Sequence, residues 1–205
     1  MIRNCLVSSR GLNLFGSSIG LFLRSHHNNA DPYTRGKPNA GCIRLNFDGA
    51  SKYGTGDASI GGVYRNHEGV FLFGYAERIG KATSSVAELV AAKRGLELAI
   101  KNGWFNIWIE GDAKGVVDLI TNRMRSKSKE DLRHFREISV LIPQLKYFKA
   151  SHIYREGNKV AHRLAKLGYK MHKPQIWWDV PPDEVLRFLR QDAEGQIITR
   201  RKQNL

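Results

Sequence analysis

The chain has 205 residues, 41% hydrophobic and 25% charged, the composition of one soluble domain with tails; this excludes a wholly disordered or collagen-like chain. Its two cysteines, Cys5 and Cys42, exclude a disulfide framework and a Cys-rich zinc site, and no stretch approaches the ~20 apolar residues of a membrane span. Lys and Arg number 33 against 19 Asp and Glu, a net charge of +14, which favours a polyanionic partner over an acidic small molecule.

Residues 1–40 read as leader and linker. Met1–Ala30 carries Arg3, Arg10 and Arg24, five serines and no acid, the composition of a mitochondrial or chloroplast transit peptide. The alternatives are a signal-peptide core at Gly11–Leu23 and a plain leader on a nuclear or cytoplasmic protein. Asp31–Gly41, with Pro32 and Pro38, is linker.

The folded domain is expected over 41–172. Ile43–Asp48 alternates apolar and polar and reads as a strand ending in a carboxylate. Gly49–Gly56 is turn-rich. Ser59–Arg65 and Val70–Ala76 are strands split by the hairpin signal Asn66-His67-Glu68-Gly69. Thr83-Ser84-Ser85 caps a helix that runs through Lys101 and stops at Asn102-Gly103. Phe105–Glu110 returns to strand alternation, and Asp112 opens a helical run to about Asn122. A helix over Lys129–Leu145, a strand over Lys146–Tyr154 and a helix over Asn158–Lys170 complete the domain. This order predicts an α/β fold, a mixed five-stranded sheet flanked by helices. In the extension, 173–205, Ile176–Pro182 reads as an aromatic turn whose Trp177 and Trp178 either pack back onto the domain or stack on bases. Asp183–Gln191 reads as a short amphipathic helix and Arg200–Lys202 as a basic end.

The charge is uneven. Arg123–Lys170 holds thirteen Lys and Arg against four acids, a surplus of nine. Inside a folded domain, that marks either a phosphate-tracking surface or a solvated helix face.

Three carboxylates stand apart from this basic background. Asp48 ends the first strand, Glu88 lies on the long helix, and Asp112 follows a later strand. Glu88, Ala92, Gly95 and Ala99 share one stripe of that helix. A stripe with so little side chain lets the helix lie close on a sheet and hold Glu88 near the strand ends. Clustered carboxylates repel one another unless cations neutralise them. Hard oxygen ligands suit Mg2+ or Mn2+, and two such ions about 3.5–4 Å apart can hydrolyse a phosphodiester. On spacing alone, three unrelated surface acids are the alternative. Glu110, two residues before Asp112, faces the same way in an extended strand; it either adds charge nearby or forms a surface salt bridge.

Five motifs in order resemble the ribonuclease H domain of the plant, retroelement-related kind: Leu45-Asn46-Phe47-Asp48-Gly49-Ala50, Ile60-Gly61-Gly62-Val63, Ala87-Glu88-Leu89, Ile109-Glu110-Gly111-Asp112-Ala113, and Arg155-Glu156-Gly157-Asn158 through Ala165. The resemblance covers about Ile43–Lys170. It implies a ribonuclease H-like fold and a metal-dependent endonuclease that cuts the RNA strand of RNA–DNA hybrids. It implies metal-binding roles for Asp48, Glu88 and Asp112, and for His152 the part of a flexible histidine that aids proton transfer or product release. Where the family has its fourth carboxylate, this chain has His162. An imidazole is a poor Mg2+ ligand, so His162 as a fourth metal ligand implies a shift toward Mn2+ or one weakened ion.

A hybrid presents its 2′-hydroxyls in a wide, shallow minor groove. Backbone amides at Gly49, Ala50, Ser51, Gly61 and Gly62 are expected to reach them, with Asn158 as a further contact; Gly61-Gly62 alternatively marks a bulge. Arg123, Arg125 and Lys127 are expected to hold phosphates. The leading expectation is a monomeric nuclease with no membrane partner. Its rival is a nucleic-acid-binding module whose catalysis is weak or lost because of His162.

Overall fold

The structure, a computed structural model, describes residues 40–193; the expected leader and the basic end at Arg200–Lys202 lie outside them. Three antiparallel strands come first: β1 (Ile43–Ser51), β2 (Asp57–Arg65) and β3 (Phe71–Lys81). Helix α1 (Ser84–Lys101) leads to β4 (Asn106–Gly111), then α2 (Lys114–Ile120), α3 (Lys129–Leu141), β5 (Tyr147–His152) and α4 (Lys159–Gly168). The extension adds β6 (Gln175–Trp178) and α5 (Asp183–Ala193).

The sheet has six strands in the order β5-β4-β1-β2-β3-β6, not five. The segment read as an aromatic turn is the sixth. Its Trp178 pairs in register with Phe73, and their rings meet edge-on at 4.5 Å. Trp178 also meets Trp104, so the tryptophan packs back onto the domain. Two strands outrun their sequence signals: β1 continues to Ser51 and β3 to Lys81, because the β1–β2 and β2–β3 ladders extend through the turn-rich residues.

Other boundaries shorten. The long helix expected to Leu145 ends at Leu141 and tightens into a 3-10 turn, Ile142–Gln144, at Pro143. Proline has no N–H to continue an α-helix. The run expected from Asp112 is helical only over Lys114–Ile120.

Both faces of the sheet are covered. Leu45 and Phe47 of β1 point to the main core beneath α1, with Leu89, Leu96, Ile107 and Ile109. Thr83 caps α1 by accepting from the Val86 N–H. The predicted close approach of α1 is present: Ala92, Gly95 and Ala99 are buried, and a Cβ on Gly95 would lie 2.3 Å from Leu45 Cδ2. The hydroxyls of Tyr64 and Tyr75 donate to the α1 carbonyls of Gly95 and Ala91. On the opposite face, Val160 and Leu164 of α4 pack with Val63, Phe71 and Val185.

That second packing explains Gly61, and the Tyr75 ring of the main core explains Gly62. Both are buried. A Cβ on Gly61 would lie 2.2 Å from Ala165 N of α4, and one on Gly62 would lie 2.4 Å from the Tyr75 ring. Their register partners are Asp48 and Phe47 in β1, and Ala76 and Tyr75 in β3. Gly61 therefore serves helix–sheet packing and Gly62 makes room for the Tyr75 ring, and neither is a groove-facing amide. Nor do they mark a bulge: the irregularities of β2–β3 fall at Ala58/Ser59 and Tyr64/Arg65. Among the described residues, no helix is long and apolar enough to cross a membrane.

Candidate metal centre

Parallel pairing aligns β1 with β4, Asn46 facing Glu110. Two residues further along each chain, Asp48 and Asp112 reach the same end of the sheet. Glu88 arrives from the first turns of α1. Nothing larger than glycine fits beneath it, since a Cβ on Gly49 would lie 2.2 Å from Ala87 C and Glu88 N. The Gly49 backbone N–H favours the ionised form of the Glu88 carboxylate. One oxygen from each of Asp48, Glu88 and Asp112 lies within 4.8 Å of the others.

This cluster is electrostatically unfinished. Burial, the neighbouring Asp48 and Asp112 charges, and only partial relief from the Gly49 N–H and Arg155 push the Glu88 carboxyl well above its ordinary pKa. Burial also raises Asp48, opposed by its contact with His162 and reinforced by Asp112. Glu88 Oε2 is buried without a hydrogen-bond partner. Three hard carboxylates, one with an oxygen lacking any donor, fit a divalent cation of the Mg2+ or Mn2+ type.

His162, on the second turn of α4, is half-buried, with Nδ1 3.1 Å from Asp48 Oδ2. Arg155, in a 3-10 turn before α4, places Nη2 3.1 Å from His162 Nε2 and 3.3 Å from Nδ1. Its Nη1 is 3.9 Å from Asp112 Oδ2. His152, at the end of β5 opposite Gly111, is exposed, with Nε2 3.3 Å from the Asp112 carbonyl oxygen.

Asn158 is not a surface contact for nucleic acid. It is 1% exposed, and its Nδ2 donates to the Phe47 carbonyl at 2.9 Å and to Asp112 Oδ1 at 3.1 Å. It is a positioning residue that ties Asp112 to the strand carrying Asp48. Outer partners of this kind govern metal affinity about 10–100-fold. Asn158→Ala is therefore expected to weaken Mn2+ binding about tenfold, measured by titration of the purified chain, with Asn158→Asp failing to restore it because a carboxylate cannot donate to Asp112.

Glu110 is neither near-site charge nor surface salt bridge. It is 2% exposed, accepts from Asn46 Nδ2 and lies 3.7 Å from Arg44 Nε. Ala50 and Ser51 are half-exposed just beyond Asp48. Arg123, Arg125 and Lys127 are exposed on the α2–α3 link. Met124 and Ser126 of that link, with Ser84, Ser85, Glu88 and Ala113, border a cavity of about 290 Å³ beside the trio. In the sequence Arg155 is one basic charge at the head of the fifth motif, with no role at the trio. No periodicity ties it to His162, because the 3-10 turn intervenes.

A family model described as reverse transcriptase-like matches residues 46–168. A protein of Arabidopsis thaliana named for ribonuclease H is 28% identical over 171 residues, covering 80% of this chain and 26% of that protein. Among solved structures, RNase H1 of Halobacterium salinarum is 26% identical with a TM-score of 0.61, over 62% of this chain and 97% of that one. The N-terminal RNase H domain of a Mycobacterium tuberculosis protein is 27% identical with a TM-score of 0.59, over 62% and 93%. The chain spans about a quarter of the length of its Arabidopsis relative and under two-thirds of the Halobacterium one, at 63%.

Proposed function

The chain belongs to the reverse transcriptase-like family, and on that premise we propose that it is a divalent-metal-dependent endonuclease that cuts the RNA strand of RNA–DNA hybrids. The observation that carries this reading is the trio itself: three carboxylates from three elements within 4.8 Å, one with an unpartnered buried oxygen. The names of the Arabidopsis and Halobacterium relatives support it.

Asp48, Glu88 and Asp112 would hold the metal, with Mg2+ or Mn2+ favoured by the all-oxygen donor set. When bound there, a divalent ion lowers the pKa of a water and neutralises charge on the phosphodiester. Asn158 keeps Asp112 aligned, and Gly49 keeps Glu88 against β1. His152 stands at the open rim. With Nε2 donating to the Asp112 carbonyl, the Nδ1 of this exposed imidazole is left as the proton acceptor. Arg123, Arg125 and Lys127, exposed on the link that borders the cavity, would track phosphates, and half-exposed Ala50 and Ser51 would approach the minor groove. The two ions that the family resemblance implies would need a ligand at the fourth corner, where this chain offers His162.

The rival reading, a binding module without cleavage, draws on that same histidine, already engaged by Asp48 and Arg155. One experiment separates them. The full chain is incubated with a hybrid labelled on each strand, in Mg2+ and in Mn2+, beside Asp48→Asn. Cleavage confined to the RNA strand and lost in Asp48→Asn is the expected result. Binding of the hybrid without cleavage in either metal would favour the module. The acid-free, arginine-bearing leader supports delivery to a mitochondrion or chloroplast.

A further inference from the structure

Resting on the metal-dependent reading above, we propose that Arg155 and His162 fill the fourth corner of the site with the protein's own cation, so that the trio takes one divalent ion rather than two.

Three observations converge on this. First, among the described residues the tight ligand cluster holds Asp48, Glu88 and Asp112 alone. Second, both ring nitrogens of His162 are engaged. Nδ1 is 3.1 Å from Asp48 Oδ2, and one guanidinium nitrogen stands 3.1 and 3.3 Å from Nε2 and Nδ1. An ion ligated by either nitrogen would have to displace that guanidinium or the Asp48 contact. Third, the charge balance is that of one ion. Three carboxylates with a guanidinium 3.9 Å from Asp112 Oδ2 carry a formal charge of −2, which a single divalent cation cancels. With a carboxylate in place of His162, the site would gain a negative charge and an oxygen ligand, which is what a second ion needs.

Arg155 is well placed for such a part because its charge is permanent. Its side chain is 64% exposed, so a phosphate oxygen of a bound hybrid can reach the guanidinium where it stands. Arg155 is a positioning and charge-compensating residue here, not a metal ligand.

The test counts bound Mn2+ on the full chain by the loss of the free-ion paramagnetic resonance signal. It is run with and without a hybrid whose RNA strand is 2′-O-methylated throughout. Only sites lost in Asp48→Asn are counted. One ion on the wild type and two on His162→Asp is the expected result. Two ions on the wild type would overturn the inference and leave the nuclease reading standing, and one ion on His162→Asp would overturn it equally. No ion sensitive to Asp48→Asn would take both down. Arg155→Gln removes a cation beside the bound ion and is expected to tighten its binding roughly threefold at low salt. Unchanged or weaker binding would show that the guanidinium does not occupy the corner.

Discussion

Replacing Glu88 with Gln is expected to abolish cleavage and, at the same time, raise the melting temperature of the metal-free protein. The two effects share one cause. Glu88 is 6% exposed, faces Asp48 and Asp112, and keeps one oxygen without a donor. Its ionised form is useful only when a cation completes the cluster. A ligand carboxylate that contributes several kcal/mol of transition-state stabilisation through its ion corresponds to a rate loss of about a thousandfold or more when removed. The amide of Gln instead brings an N–H to the neighbouring carboxylates. Relief of an uncompensated buried group is worth about 1–3 kcal/mol, and a domain of this size gains roughly 2–4 °C per kcal/mol.

The pH dependence has a definite sign. In the folded chain Glu88 and Asp48 titrate above their ordinary values, whereas in the unfolded chain they titrate near ~4. Their contribution to stability is therefore fully present below about pH 4 and is lost as pH rises through the raised folded values. The advantage of Glu88→Gln should vanish toward pH 4 and grow as pH rises through the raised folded values. Mn2+ should raise the wild-type melting temperature and move the variant far less. Thermal melts from pH 4 to 8, with and without Mn2+, decide the matter. A variant less stable than wild type at neutral pH would mean that Glu88 is already satisfied without metal.

Much of this site is visible in the chain before folding, because each carboxylate sits at a recognisable boundary. Asp48 follows a clean alternation, Asp112 closes another, and Glu88 lies on a stripe whose small residues announce close packing. The alignment of Asp48 with Asp112 is different. It depends on the parallel register of β1 and β4, a pairing between segments more than sixty residues apart that no local pattern encodes. Gly61-Gly62 shows the opposite failure. Glycine marks a close approach, but the sequence does not say to what; the answer is the backbone of α4 and the ring of Tyr75, not a ligand. Asn158 is expected from the sequence to open a helix and to contact nucleic acid, and only the fold shows it reaching Phe47 and Asp112. β6 was hidden because Trp177-Trp178 runs into Asp179 and two prolines, a turn signal that overrides a four-residue strand. Its strand character comes from the long β3 edge and the Phe73 and Trp104 rings beside it.

The second large effect is expected at Gly49→Ala, where one methyl group links stability to the site. The backbone conformation poses no obstacle, since Gly49 is not among the residues with positive φ. Space is the whole objection. The new Cβ would lie 2.2 Å from Ala87 C and Glu88 N and 2.5 Å from Ala87 O. These are backbone atoms with no rotamer to escape into. Ordinary carbon contacts begin near ~3.5 Å, so the start of α1 must retreat by about 1 Å. That retreat moves Glu88 off the Gly49 backbone and draws the carboxylate away from Asp48 and Asp112. Overpacking against backbone is expected to cost about 3 kcal/mol. A misplacement of about 1 Å is expected to cost about a hundredfold in rate. Gly115→Ala is the matched control. Its Cβ would meet only the flexible end of Met124, at 3.4 Å, and alanine favours a helix over glycine, so its melting temperature should hold or rise. Melting temperature and Mn2+ affinity measured on both variants distinguish a local fit from a general intolerance of mutation. A Gly49→Ala protein with wild-type values of both would mean that α1 is not wedged against β1 and that something else holds Glu88 in the trio.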